Sequence, residues 1–191
     1  MLSRLRNPSD DAAWREFDGT YRELIVRYCR ARRLQAADAE DVRQLVMLGL
    51  SKTLRTFDYD PARGRFRHYL CRTVRNAILQ HQSRPNARAN VIDMEDATLA
   101  LLTEDRSDFT DDLWEREWMD HHYRLAMRTI RATFELRSVE VFDRLLKGAT
   151  VDACATEFEL STQAVHKVKQ RIRDRMMELV KEQIREEDEP F

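Results

Sequence analysis

Between Arg55 and Arg84 the chain carries seven arginines and only two acids, interleaved with Phe57, Tyr59, Phe66 and Tyr69. Arginines neutralise phosphates, and aromatic faces stack on bases that have left a duplex. A basic surface helix alone says little, since most charge runs are solvated faces. Basic residues mixed with aromatics beside a loop broken by Pro61 and Gly64 point more specifically to single-stranded nucleic acid. Just upstream, Asp41, Gln44 and Leu48 share a stripe that no core needs. That stripe is either a contact surface or a solvated face with one stray leucine. Near the other end, Gln163, His166, Lys167, Gln170, Arg171 and Asp174 form a polar face rich in donors that could reach base edges and phosphates.

The elements that must position these residues read as helices. Asn7-Pro8-Ser9-Asp10 is a helix-start signal, with Ser9 or Asp10 as cap of a helix to about Arg33. Trp14, Phe17, Tyr21, Leu24, Ile25 and Tyr28 form its apolar stripe. In the next run Val42, Leu45, Val46, Gly49 and Thr53 recur at helical spacing, with Asp38 as expected N-cap and Glu40 and Asp41 suited to the positive end of the dipole. After the Phe57–Arg65 turn, Phe66, Leu70, Val74, Ala77 and Ile78 give a buried stripe, while His68, Arg72, Arg75, Asn76 and Leu79 fall on another face. Arg84-Pro85 ends that helix.

The last block is a helix-turn-helix candidate. Val139, Phe142, Leu145 and Leu146 make a supporting helix stopped near Gly148. Thr150 caps the next helix, whose Val151, Cys154, Ala155 and Phe158 point inward, and Glu159-Leu160 turns the chain. Ser161 or Thr162 caps a long helix with Val165, Val168, Ile172, Met176 and Leu179 inside. A helix with donors along its N-terminal half can enter a major groove. A plain three-helix bundle with a charged face would give a similar pattern.

The order Asp-Ala-Glu-Asp-Val-Arg-Gln from Asp38, then Phe57-Asp58, a glycine-containing loop, Phe66, Leu70 and Arg75-Asn76, resembles the second conserved region of bacterial sigma factors of the extracytoplasmic-function (ECF) type. Gly148-Ala149-Thr150 and Ser161-Thr162-x-Ala164-Val165 are similar to the fourth conserved region of that family. Glu159 departs from the pattern, because that turn position often carries a residue at ease with positive φ. The resemblance covers roughly residues 12–84 and 112–184. It implies that Asp38, Glu40, Asp41, Gln44 and Leu48 dock on core RNA polymerase. It implies that Phe57, Tyr59, Arg63, Arg65, Phe66, His68, Tyr69, Arg72, Arg75 and Asn76 hold the opened −10 strand, with a flipped base in the loop. It implies that Gln163, His166, Lys167, Gln170, Arg171 and Arg173 read the −35 duplex.

Composition bounds the rest. The 191 residues suit one large or two small domains, and 35% charged residues with four glycines point to helices. The expected architecture is all-α: a helical bundle at 1–84, an acidic linker at 85–111, a helix-turn-helix domain at 112–185 and a frayed acidic tail at 186–191. Formal charge is +7 over 1–84, −6 over 85–136 and −2 over 137–191. A total near neutrality therefore hides a basic block, and the local patch sets the field. The linker is a solvated tether from its sequence alone, while the resemblance makes its acidity compatible with a nucleic-acid mimic. Cys29, Cys71 and Cys154 are far apart, odd in number and without a Cys-x-x-Cys pair, so they read as small buried hydrophobes in a reducing compartment. No apolar run is long enough for a membrane span or signal peptide, which gives a cytoplasmic expectation.

These observations favour a binding protein without cofactors, an alternative sigma factor, over two rivals. A stand-alone helix-turn-helix regulator would leave the Asp41/Gln44 face and the arginine-aromatic helix without a purpose. Asp120-His121-His122 spells the motif of a metal-dependent phosphoesterase family, but that family needs ligands on strands of an α/β sheet, and alternating apolar-polar stretches are almost absent. The expected partners are core RNA polymerase and promoter DNA, duplex and single-stranded. An anti-sigma factor is common in the family, and Thr103, Ser107 or Thr110 could take phosphate from a regulatory kinase; neither partner is visible in the residues.

Overall fold

Asp10 starts the first helix because its carboxylate satisfies an otherwise orphaned backbone donor. In the computed structural model, which describes residues 2–7, 9–54, 65–83 and 111–188, Asp10 Oδ1 accepts from the Ala13 amide at 2.9 Å. Arg4, from a short 3-10 turn at Leu2–Arg6, donates to both Asp10 oxygens and holds that carboxyl below its ordinary pKa. Helix α1 spans Asp11–Ala31. Arg33 then takes a left-handed φ of 70°, which turns the chain towards α2, Ala36–Thr53.

The start of α2 corrects one expectation. Gln35, with no side-chain cap bond, precedes the helix, so Asp38 lies inside the first turn. There it still suits the helix dipole, and its Oδ1 lies 3.3 Å from His81 Nε2. Helix α3 spans Phe66–Gln82 and packs on α2, which packs on α1. The three apolar stripes meet where the periodicity places them: Phe17, Leu24, Val42, Val46, Leu50, Phe66, Leu70 and Val74 are fully buried. Each such side chain contributes about 1.5–3 kcal/mol relative to exposure. The Phe17, Tyr21 and Phe66 rings pack with centroids 4.7–6.3 Å apart.

Helix α4 spans Asp112–Thr133, α5 Leu136–Leu146, α6 Val151–Glu157 and α7 Thr162–Asp188. The described residues hold no strand. The chain divides into two compact units, one running to Met119 and taking in Glu187, the other Asp120–Glu186. The boundary thus falls within α4 and not before Asp112. Trp114 explains the shift, since its ring meets Tyr28 edge-on at 5.1 Å and is 1% exposed, so the first turns of α4 belong to the N-terminal unit. The tail differs as well. Helix α7 continues to Asp188, and Glu187 is buried within the first unit, its Oε1 accepting from the Tyr21 hydroxyl at 2.7 Å. The linker expected at 85–111 lies outside the described residues except for Asp111.

In the second unit Ala126, Met127, Ile130, Val139, Phe142, Ile172, Leu179 and Val180 form one core cluster, and Val141, Cys154, Ala155 and Val165 another. Val168 packs against both. Leu146, expected inside, is 62% exposed, because it lies at the last turn of α5 beyond the reach of either cluster. All three cysteines are buried and free. Burial pushes the Cys29 and Cys71 thiols up to about 12, so both are protonated and unreactive at neutral pH. Among the described residues no helix is long and apolar enough to cross a membrane.

Candidate nucleic-acid interface

Helix α2 sorts its polar residues by direction. Steps of three and four residues put Asp41, Gln44 and Leu48 on one stripe facing away from the buried Ala39, Val42, Val46 and Leu50. All three are exposed, Leu48 at 58%. Asp38 and Glu40 flank this stripe on opposite sides. Asp38 is directed towards α3 and His81. Glu40 accepts from Arg22 of α1 at 2.7 Å and from Arg43 at 2.8 Å, and the two guanidiniums keep its carboxyl below the usual range. Arg43 also bonds Asp18. Of the five residues expected at a protein contact, three therefore form a continuous surface, while Glu40 is committed to holding α1 and α2 together.

Helix α3 presents Arg65, His68, Arg72, Arg75, Asn76 and Leu79 opposite its buried stripe. Leu79, at the C-terminal end of this face, is 62% exposed. Phe66 and Tyr69, expected among the nucleic-acid contacts, are core residues at 0% and 7% exposure. Their rings are spent on the helix packing, so neither stacks on a base in this conformation. Tyr69 positions instead: its hydroxyl meets Thr53 Oγ1 at 2.9 Å, joining the last turn of α2 to the first turn of α3. That bond fixes the two ends between which residues 55–64 run. Phe57, Tyr59 and Arg63, the expected loop contacts, lie outside the described residues.

Two groups that the sequence pattern did not single out join this surface. Arg67 lies beside the basic face with its guanidinium 5.0 Å from the Trp118 ring centroid. Glu115 of α4 reaches Arg67 at 3.4 Å and His68 Nε2 at 3.6 Å. Arg67 Nε donates to His68 Nε2 at 3.2 Å, which requires the neutral imidazole. Burial, and then Arg67, hold the His68 pKa below its ordinary value, with Glu115 opposing. No spacing rule within α3 could have revealed Glu115, because it comes from a helix 47 positions further along the chain from His68.

In the second unit the turn chemistry positions α7. Gly148 takes φ 91°, Thr150 Oγ1 accepts from the Ala153 amide at 3.1 Å, and Ser161 Oγ accepts from the Ala164 amide at 3.1 Å. Glu159 adopts φ 50°, the left-handed conformation the turn requires despite its side chain. Gln163, His166, Lys167, Lys169, Gln170 and Arg173 surround an open groove of about 440 Å³ on the exposed side of α7. Lys169 is an addition to the expected set. Gln170 donates to both Asp174 oxygens at 2.9 Å and accepts from Arg173 at 2.9 Å, so its amide is oriented from both ends. Arg171 leans away from this group: it donates to Ser138 Oγ at 3.2 Å and lies 5.3 Å from the Phe134 ring centroid.

The Asp120-His121-His122 triplet does not converge. Asp120 is exposed, whereas His121 and His122 are each 1% exposed, with His122 Nδ1 2.9 Å from Gln183 Oε1. Among the described residues no group of three or more His, Cys, Asp and Glu side chains is placed to hold a metal ion.

Residues 19–88 match the family described as Sigma-70 region 2. The matched stretch takes in most of α1 and all of α2 and α3, the helices that carry the exposed Asp41/Gln44/Leu48 stripe and the basic face. The N-terminal unit therefore contains a Sigma-70 region 2 domain, which supports a sigma-factor role in promoter recognition by RNA polymerase. No curated protein and no solved structure matches the chain.

Proposed function

We propose that this protein is an alternative sigma factor of the ECF type, which directs core RNA polymerase to specific promoters. The single observation that carries the proposal is the match of residues 19–88 to Sigma-70 region 2. Its mechanism is binding, with no bond made or broken. Asp41, Gln44 and Leu48 dock on core polymerase, with Asp38 and Glu40 at the margins. Arg65, His68, Arg72, Arg75 and Asn76 hold the opened −10 strand, together with Phe57, Tyr59 and Arg63 of the loop. A flipped base gains stacking and hydrogen bonds that offset the few kcal/mol, roughly, of unpairing.

The second unit acts as a helix-turn-helix that reads the −35 duplex through Gln163, His166, Lys167, Gln170 and Arg173. The exposure of these donors along the N-terminal half of α7 supports that assignment. Arg171, drawn onto Phe134 and Ser138, supports the turn and contacts the backbone at most. Two weak DNA contacts on one chain reinforce each other through effective concentration once polymerase fixes their separation.

The test is capture of purified bacterial core RNA polymerase by the full chain, beside an Asp41→Ala/Gln44→Ala variant. The variant keeps its fold, because both positions are exposed, and its affinity falls at least about tenfold, or ~1.4 kcal/mol. No capture, alongside sequence-specific duplex binding by the protein alone, would replace this proposal with a stand-alone regulator.

A further inference from the structure

The basic face of α3 is already partly engaged within the N-terminal unit. Glu115 places one carboxylate oxygen 3.4 Å from Arg67 and the other 3.6 Å from His68. It is an anion placed on a guanidinium, as a nucleic-acid phosphate would be. Glu115 is about one-third exposed, so its side chain can rotate into solvent without unfolding anything. Arg67 does not depend on Glu115 for its position, because the Trp118 ring, itself 2% exposed, supports its guanidinium at 5.0 Å. The neighbouring turns of α4 are held by other contacts: Trp114 on Tyr28, Asp111 with Arg32 and Tyr28, and Glu117 with Arg27. The helix start is thus fixed, while one exposed carboxylate on it meets the nucleic-acid face.

We propose that Glu115 is an internal counter-ion that occupies Arg67, beside His68, in the free protein and is displaced by a phosphate of single-stranded nucleic acid bound on α3. The inference rests on the proposed assignment of α3 as the strand-binding face. It adds Arg67 to that face and makes α4 a brake on binding. The balance is one anion exchanged for another at the Arg67 guanidinium, beside a neutral His68, so wild-type protein binds a free strand less tightly than its arginine content suggests.

The experiment measures affinity of the full chain for a fluorescent single-stranded oligonucleotide at low salt, with helix content checked by circular dichroism. Glu115→Gln keeps size and polarity and removes the charge; Glu115→Ala is the second variant should the amide find new partners. Either gains about two- to fivefold in affinity, the range exposed ion pairs span. Asp112→Asn, which removes the same charge from an exposed position one turn earlier, gains less. In an Arg67→Ala/His68→Ala background the Glu115→Gln gain disappears. An equal gain from Asp112→Asn, or a gain that persists in that background, overturns the proposal, because the effect would then be a general field. Arg72→Ala separates it from the underlying assignment. If Arg72→Ala weakens binding and Glu115→Gln changes nothing, only the counter-ion is refuted. If neither variant changes binding, or the chain binds no strand at all, both are.

Discussion

His121 offers the sharpest test of the second unit. Its imidazole is 1% exposed, and burial, aided by His122 and by Arg124 and Arg128, lowers its pKa from 6.5 to about 3. The folded protein therefore carries His121 neutral throughout the physiological range, while the unfolded chain takes up a proton below about 6.5. The folded value lies below the unfolded one, so the stability linked to neutral His121 is complete above the unfolded pKa. It is lost as pH falls towards the folded pKa. Between about pH 7 and about pH 5 the linkage removes about 2 kcal/mol, most of the one proton's share over that interval. His68, also held below its ordinary value, adds a loss of the same sign in the first unit. The comparison that isolates His121 is urea unfolding, followed by helical circular dichroism, of wild type and His121→Gln over that pH range. The glutamine variant starts lower, because a buried site tuned to imidazole is repacked, but its curve is flatter by about 2 kcal/mol. Parallel curves for the two proteins would refute the reasoning, since they would mean that His121 is protonated or solvated in the fold.

Glu159→Gly stabilises the turn before α7. Left-handed strain at φ 50° costs ~1 kcal/mol, partly offset by glycine's greater freedom when unfolded, leaving a gain of roughly 0.5 kcal/mol in urea unfolding. Lys167→Ala lowers affinity for all duplexes alike and flattens the dependence of log affinity on log salt by about one unit, read by fluorescence anisotropy across a salt series. A changed base preference with an unchanged slope would assign Lys167 to base reading instead.

Most helices were legible because periodicity reports burial directly. The stripes of α1, α3 and α7 run through the residues that apolar spacing named, and Asp10, Thr150 and Ser161 cap where their side-chain chemistry allows. Glu159 was legible as a departure from the pattern of the family the chain resembles, whose turn position often carries a residue at ease with positive φ, and it takes φ 50° in the fold. What was not legible depends on which element lies opposite. Phe66 and Tyr69 look the same in sequence whether they stack on a base or fill the space between α1, α2 and α3; the fold assigns them to the core. Asp38 has the right chemistry for a cap, yet the helix begins earlier because Gln35 already takes the extended conformation a cap needs. The two adjacent histidines spell part of a metal motif, but among the described residues they lie in no group of three or more possible metal ligands.

The distribution of charge along the chain is a further case. A strongly basic first segment and an acidic middle look like two independent facts along the chain. In the fold they partly cancel by contact: Asp111 with Arg32, Glu115 with Arg67, and Glu117 with Arg27, all within the N-terminal unit. These pairs join the start of α4 to arginines of α1, the turn after it and α3. Asp111 and Glu117 are largely buried in these contacts, with side chains 8% and 14% exposed, so these two pairs help to hold the start of α4 in place. These three pairs leave Arg72 and Asn76 of α3 uninvolved. On the proposed reading, a strand bound on α3 reaches Arg67 only by exchanging places with Glu115.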